Sequence, residues 1–356
     1  MIKSTAPTRI DLAGGTLDIW PLYLLFDNPP TLNAAINLYA TVKLTPRSDR
    51  KIFVESRDLP CHAKFNSIES LPDRHPLELI LKTLQYYQPK KGLNILTSCE
   101  APPGSGIGGS SALNIALHGA LNKFTKKGLG KKQMLEAAMN IETQVISVPT
   151  GSQDYFPPLH GGVRSVRPSF DGVDSVALPV SLSKLTQRIV LCYTGKPRKS
   201  GINNWEVMKK VLDGDRLVTK KLKEIAHIAK EMDKALTLGQ MKKVTALFAQ
   251  EWRARKSLAP TISTPHIDKL ISGAMQQGAQ AAKVCGAGGG GFMLLFVPPE
   301  KQPAIKEKLS KLVYVPFSFE YGGSQIMYSD KQKRYLEEEN VRNNKSITSY
   351  VDLKNL

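Results

Sequence analysis

No apolar run in this sequence approaches the roughly 18–20 residues that a membrane-spanning helix needs. The opening "MIKSTAPTRIDLAGG" passes into a strand pattern with no hydrophobic signal region, so a cytoplasmic protein with no membrane partner is expected. Cysteine is scarce: Cys61, Cys99, Cys192 and Cys285 are scattered with no C-x-x-C pair, which argues against a disulfide framework or a zinc site. The six histidines show no ligand spacing and receive no chemical role; His118 reads as a packed or surface residue. Aromatic residues make up only 7% of the chain and do not interleave with its lysine and arginine groups, so nucleic acid is not an expected partner. Acidic residues are also short, 31 against 49 Lys and Arg, leaving a net charge of +18. Such an excess draws polyanions, membrane surfaces and phosphorylated small molecules alike, and its sign selects none of them.

Glycine, by contrast, is concentrated. The stretch Ala101 to Leu121, "APPGSGIGGSSALNIALHGAL", packs glycines ahead of an apolar pattern at helical spacing (Leu113, Ala116, Leu117, Ala120, Leu121). It follows a strand, "LNILTSCE", and precedes a second helical pattern, "KKQMLEAAMNIETQVI". Other strands read as "RIDLAG", "LYATVKLTP", "KIFVES" and "RIVLCYTG". From Trp205 to about Gly278 the chain reads as helical, with breaks near Pro260 and Pro265, and "QAAKVCGAGGGGFMLLFVPP" reads as strand, glycine turn and strand. The 356 residues suit two domains of an α+β protein, divided near residue 195, with a polar tail over 331–356.

Three loops could be written as Ala101–Leu121 is. Gly104, Gly106 and Gly109 satisfy G-x-G-x-x-G, yet the strand ends in Ala-Pro-Pro and no acid follows at the distance a ribose contact needs. As a Walker loop it fails because Ser110 stands where the lysine should be. A hydrolase elbow requires Gly-x-Ser-x-Gly, and the run Gly108 to Ala112 ends in alanine. What remains is glycines that admit an anion to backbone N–H groups and a helix start carrying about half a positive charge. The competing reading is a turn that only packs two elements.

Two further stretches, "KSTAPTRIDLAGGTLDIWPLY" and "AAKVCGAGGGGFMLLF", join "APPGSGIGGSSA" in an order and spacing that resemble the three motifs of the GHMP kinase superfamily. Through "NAAINLYATV", "IETQVISVPTGSQDYFPPLHGG", "YTGKPRKS" and "PFSFEYGGSQI" the chain looks most like its D-glycero-D-manno-heptose 7-phosphate kinase branch. The resemblance implies an N-terminal ATP-binding domain (1–195) with a left-handed βαβ unit and a C-terminal ferredoxin-like α/β domain (196–330). The active site would lie between them, in a monomer or homodimer. It implies ATP and Mg2+, transfer of the γ-phosphoryl group, and a sugar or sugar phosphate as the small-molecule partner. A free sugar such as fucose, a mevalonate-type acceptor, or a non-catalytic nucleotide-binding module are the alternatives.

By that resemblance, Pro103, Gly104, Ser105, Gly106, Ile107, Gly108, Gly109, Ser110 and Ser111 hold the triphosphate, and Ser110 and Glu142 hold Mg2+. Asp154 is the base and Arg9 its basic neighbour. Gly14, Gly15, Asp18, Gln153, Gly288 and Gly289 contact substrate. The chain departs from the family at Gly109, where Ser or Thr is usual, and at Leu17, which is expected to alter the wall beside Asp18. Glu142 falls at the border of its helix's apolar stripe, a costly place for a carboxylate without a partner. Lys283 reads as a strand-end charge. Arg198 and Ser200 in "YTGKPRKSG" are expected to sense a phosphate on the acceptor, with arginine as the bidentate fork.

Overall fold

The computed structural model describes residues 1–59, 61–180, 185–195 and 202–328, and the tail and the loop carrying Arg198 and Ser200 lie outside them. Its first strand, β1 (Ile2–Ala13), is buried along its whole length. Cover on both faces removes the alternation that marks a half-exposed strand, so only its "RIDLA" end is legible. Pro7 interrupts the ladder with β2 (Thr31–Pro46), where the register shifts between Pro7 and Thr8, since proline has no N–H to offer. β2 is long because its halves serve different neighbours. Ala40 to Pro46 pair with β5 (Leu93–Cys99), and Thr31 to Ala34 pair with β6 (Val163–Ser169). With β3 (Ile52–Ser56), β4 (Cys61–Phe65), β7 (Gly172–Ala177) and β12 (Gln325–Tyr328) they form an eight-stranded sheet, in which β3 and β5 run parallel. A short turn, α1 (Leu22–Leu25), follows β1, and α2 (Glu78–Tyr87) lies on the crossover from β3 to β5.

The expected helices after the glycine loop are α3 (Gly109–Thr125) and α4 (Lys131–Ile146), followed by α5 (Phe156–His160). The helical stretch contains α6 (Ile202–Leu212), α7 (Arg216–Thr237), α8 (Met241–Arg255) and α9 (Pro265–Gln276). Asp215 caps α7 by accepting from the Leu217 and Val218 amides, and Thr264 caps α9 with Pro265 in its first turn. The second sheet is antiparallel, in the order β11 (Val313–Tyr314), β8 (Ile189–Tyr193), β10 (Phe292–Phe296), β9 (Ala281–Val284). With helices on its first and last connections, the latter α10 (Gln302–Lys308), this is the ferredoxin-like β-α-β-β-α-β arrangement. The sheets do not divide at residue 195: β8 already belongs to the second sheet, and β12 returns to the first. Nor are their cores separate, because Ile10, Leu32 and Ile36 share one apolar cluster with Leu191, Phe292, Leu294 and Met232.

A chain of buried charges crosses the same junction. Asp11 on β1 lies 2.7 Å from Lys283 on β9 and accepts from the Gly286 amide at 2.8 Å. Lys283, fully buried rather than a strand-end charge, also stands 3.0 Å from Glu251 on α8. Glu251 in turn pairs with Arg255, whose Nη2 donates back to the Gly15 carbonyl at 2.8 Å. Burial pushes the Asp11 carboxyl up, but Lys283 and Arg9 outweigh it and hold the group well below the usual carboxylate range. Replacing Lys283 with Met would leave two buried carboxylates short of a counter-charge. Urea unfolding should show a loss of about 3–5 kcal/mol, whereas Lys230→Ala, which removes an ion pair with the 89%-exposed Asp27, should cost less than about 1 kcal/mol.

Candidate active site

The three glycine motifs meet at a cleft of about 460 Å3 lined by residues of both sheets' halves. From the central loop Pro103, Gly104, Ser105, Gly106, Gly108, Gly109, Ser110 and Ser111 line it, while Ile107 turns into the core. Gly108 caps α3 in the left-handed region (φ +73°). A Cβ there would come within 3.2 Å of the Arg9 side chain, so glycine is what lets the arginine cross beneath the loop. By helix geometry the amides of Gly109, Ser110 and Ser111 have no acceptor one turn back, and they open the α3 N-terminus toward the cleft. At Gly109 the place of the usual hydroxyl is tight: a Cβ would lie 3.2 Å from both Cys99 Sγ and Ala101 Cβ, which would have to give by a few tenths of an ångström. The third motif docks directly on the loop, with the Phe292 amide donating to the Ser105 carbonyl at 2.8 Å.

Arg9 is 1% exposed and uses each of its side-chain nitrogens. Nη1 donates to the Gly106 carbonyl at 2.8 Å, and Nε and Nη2 both reach Asp154 Oδ1, at 2.8 and 2.5 Å. Burial lowers the guanidinium's pKa, but Asp154 and Asp11 outweigh it, so Arg9 stays charged. Both contacts fall on Oδ1, so the part-exposed carboxylate keeps Oδ2 for the cleft. Asp18 accepts from the Gln153 amide through Oδ2, at 2.8 Å, while its buried Oδ1 and the buried Gln153 Oε1 have no hydrogen-bond partner. Burial, with Asp154 adding to it, lifts Asp18 from 3.8 to about 6.

Glu142 accepts from Ser111 at 3.0 Å and from Tyr155 at 2.6 Å, and Ser110 stands beside it. Burial still pushes its pKa up, the condition that a cation would relieve. No cluster of three or more His, Cys, Asp or Glu able to hold a metal occurs among the described residues. One carboxylate with a neighbouring hydroxyl nonetheless fits Mg2+, which keeps several waters and takes its other ligands from phosphates.

Not every expected residue reaches the cleft. Gly286 and Ala287 line it, whereas Gly288 and Gly289 are absent from its wall and lie against Ile262, whose carbonyl accepts from the Gly289 amide at 2.8 Å. Gly14 packs against Pro30 and Ala229, and Gly15 against the Gln153 amide group. Leu17 does not flank Asp18 in the cleft wall either; it is fully buried among Leu22, Val207, Leu222 and Trp252.

Residues 75–162 match the GHMP kinases N terminal domain, and residues 230–315 match the GHMP kinases C terminal domain. The chain is a GHMP kinase. Among curated proteins it is similar to the D-glycero-alpha-D-manno-heptose 7-phosphate kinase of Campylobacter jejuni, 28% identical over 87% of this chain and 93% of that one. The structure of a D-glycero-D-manno-heptose 1-phosphate kinase from Bacteroides thetaiotaomicron superposes with a TM-score of 0.76 and 22% identity, over 93% of this chain and 100% of the other. Galactokinase from Lactococcus lactis superposes with a TM-score of 0.75 and 18% identity, over 91% of this chain and 94% of the other. These structural likenesses carry the fold. Both family domains are those of ATP-dependent phosphotransferases, and this GHMP kinase is one. No helix among its described residues is long and apolar enough to cross a membrane.

Sequence reasoning missed Asp11, Glu251, Arg255 and Tyr155. Asp11 and Lys283 carried one usable signal, a charge inside an otherwise apolar strand run, which requires a partner.

Asp18 gives this GHMP kinase a testable pH response. The folded state holds the Asp18 proton more tightly than an unfolded chain does, so the group's contribution is full below about pH 4 and is lost as pH rises through about 6. Asp18→Asn should therefore be more stable than the parent at pH 7, by about 3 kcal/mol, with the gap closing at pH 4. Urea titrations at the two pH values measure it, and a gap that does not change with pH would assign the strain elsewhere.

Proposed function

We propose that this GHMP kinase transfers the γ-phosphoryl group of ATP, with Mg2+, to the anomeric hydroxyl of a sugar phosphate, D-glycero-D-manno-heptose 7-phosphate being the first candidate. The observation that carries the reading is the group of unsatisfied oxygens at one end of the cleft. Asp18 Oδ1 and Gln153 Oε1 are buried without partners, and Asp154 Oδ2 is open beside them. Such a wall accepts hydrogen bonds from several hydroxyls at once, as a polyol would offer. The likeness to the Campylobacter heptose 7-phosphate kinase supports the same class.

Phosphoryl transfer asks mainly for positioning and charge stabilisation. Amides at the start of α3 would receive the triphosphate, and Glu142 with Ser110 would hold Mg2+, which neutralises phosphate charge. Asp154, fixed through Oδ1, would take or orient the hydroxyl proton through Oδ2. Arg9, pinned between Gly106 and Asp154, would stabilise the developing charge without reorganising. The four free cysteines and the need for ATP suit the cytoplasm. A non-catalytic module is disfavoured because Asp154 and Glu142 both face the cleft.

ADP release from ATP and Mg2+ over a panel of sugars, sugar phosphates and mevalonate tests the reading, and no release above background on any acceptor would sink it. Asp154→Asn should lower turnover by about 10²- to 10⁴-fold while ATP still binds; activity within a few-fold of the parent would remove Asp154 from that role. For the acceptor's phosphate we keep Arg198, with Ser200 as a neutral donor. Arg198→Ala should raise KM for a sugar phosphate by roughly ten- to a hundred-fold, as loss of a charge-assisted contact would. An effect on ATP alone would contradict that assignment.

A further inference from the structure

The end of the cleft that holds Asp18 is rich in acceptors, with Gln153 Nε2, which lies against Gly15, as a side-chain donor among them. Asp18 Oδ1, Gln153 Oε1 and Asp154 Oδ2 can only accept, and the Arg9 nitrogens are already engaged. A hydroxyl that donates to one of these oxygens still presents its own lone pairs, which need a donor. Asn204, near the start of α6, lines the cleft as well.

A relay from the buried charge chain favours one orientation of its amide. Arg255, 2% exposed, donates through Nη1 to Thr16 Oγ1 at 3.3 Å. An arginine has no acceptor, so the Thr16 oxygen accepts from it, and the arrangement that also uses the hydroxyl's own hydrogen has Thr16 donating to the Asn204 side chain at 2.8 Å. In that arrangement the neighbour is the carbonyl end, Oδ1, and Nδ2 is turned away from Thr16 with no hydrogen-bond partner among the described residues.

We propose that Asn204 is a specificity-determining residue of the acceptor site, donating through Nδ2 to a hydroxyl or ring oxygen of a polyhydroxylated acceptor, with Thr16 and Arg255 as positioning residues. The proposal rests on the kinase reading above. Asn204→Ala removes the donor. Asn204→Asp keeps the shape and the carbonyl that Thr16 needs, but cannot donate. Thr16→Ala cuts the relay and leaves Asn204 in place.

The test is steady-state kinetics of the parent and these variants with the best acceptor of the panel and with its single-deoxy analogues. Asn204→Ala should raise the acceptor KM about ten-fold, leave KM for ATP within two-fold, and change kcat little. Asn204→Asp should raise the acceptor KM at least as much. One deoxy analogue should be poor for the parent yet no worse than the full acceptor for Asn204→Ala, which a merely structural role would not produce. Thr16→Ala should raise the acceptor KM less, and adding it to Asn204→Ala should bring no further loss. An unchanged acceptor KM in Asn204→Ala, or equal shifts for acceptor and ATP, would overturn the role of Asn204 and leave the kinase reading intact. Absence of transfer by the parent to any acceptor would overturn both.

Discussion

Five buried charges run in alternating sign from Arg9 through Asp11, Lys283 and Glu251 to Arg255. They link a strand of the first sheet, a strand of the second and a helix packed between, then return to the first glycine turn at Gly15. Each link would cost several kcal/mol if its partner were withdrawn, because water cannot reach it. The chain is therefore satisfied only when the two halves are docked in one way. That docking sets Gly286 against Asp11 and Phe292 against Ser105, which brings the third glycine motif onto the second.

The buried charges around the cleft are unevenly matched. The buried cations are matched: Arg9, Lys283 and Arg255 all have carboxylate partners. Asp18 and Glu142, in contrast, are buried carboxylates without an ion pair among the described residues, and burial raises both. Burial of this kind is unfavourable, and in the proposed reading a ligand's hydroxyls and a cation would relieve it. Ser110, in the first turn of α3, stands beside Glu142 at the helix start where the triphosphate would complete the balance.

The glycine loop, its helix, the second helix and the final hairpin were all legible, because glycine punctuation and periodic apolar residues are local signals. Asp154 with Arg9, Asp18 and Glu142 could be named because they stand in or beside such motifs, and they gather in one cleft. The charge chain as a whole was not legible, since its two groups, Arg9 with Asp11 and Glu251 with Arg255 and Lys283, lie in distant segments that only the docking of the sheets makes neighbours. Gly288 and Gly289 mislead for the opposite reason: a run of glycines marks a close approach, yet does not say whether ligand or protein approaches. Here Ile262 does. Leu17 looked like a change in the sugar's surroundings, but consecutive residues of a tight turn face different ways, and Leu17 faces the core. Asn204 offered no sequence signal at all, being an unremarkable polar residue until Thr16 and Arg255 orient it.

The return of β12 to the edge of β1 has a bearing on how the molecule is made. Ser4 pairs with Ile326 and Lys3 with Tyr328, so β1 has an open edge until β12, the last described strand, has followed it. During that interval the unpaired edge of β1 is a template for any other extended chain. Contacts of such sequence separation close slowly, which makes the period between synthesis of β1 and arrival of β12 the one in which a nascent chain most needs shielding from its neighbours.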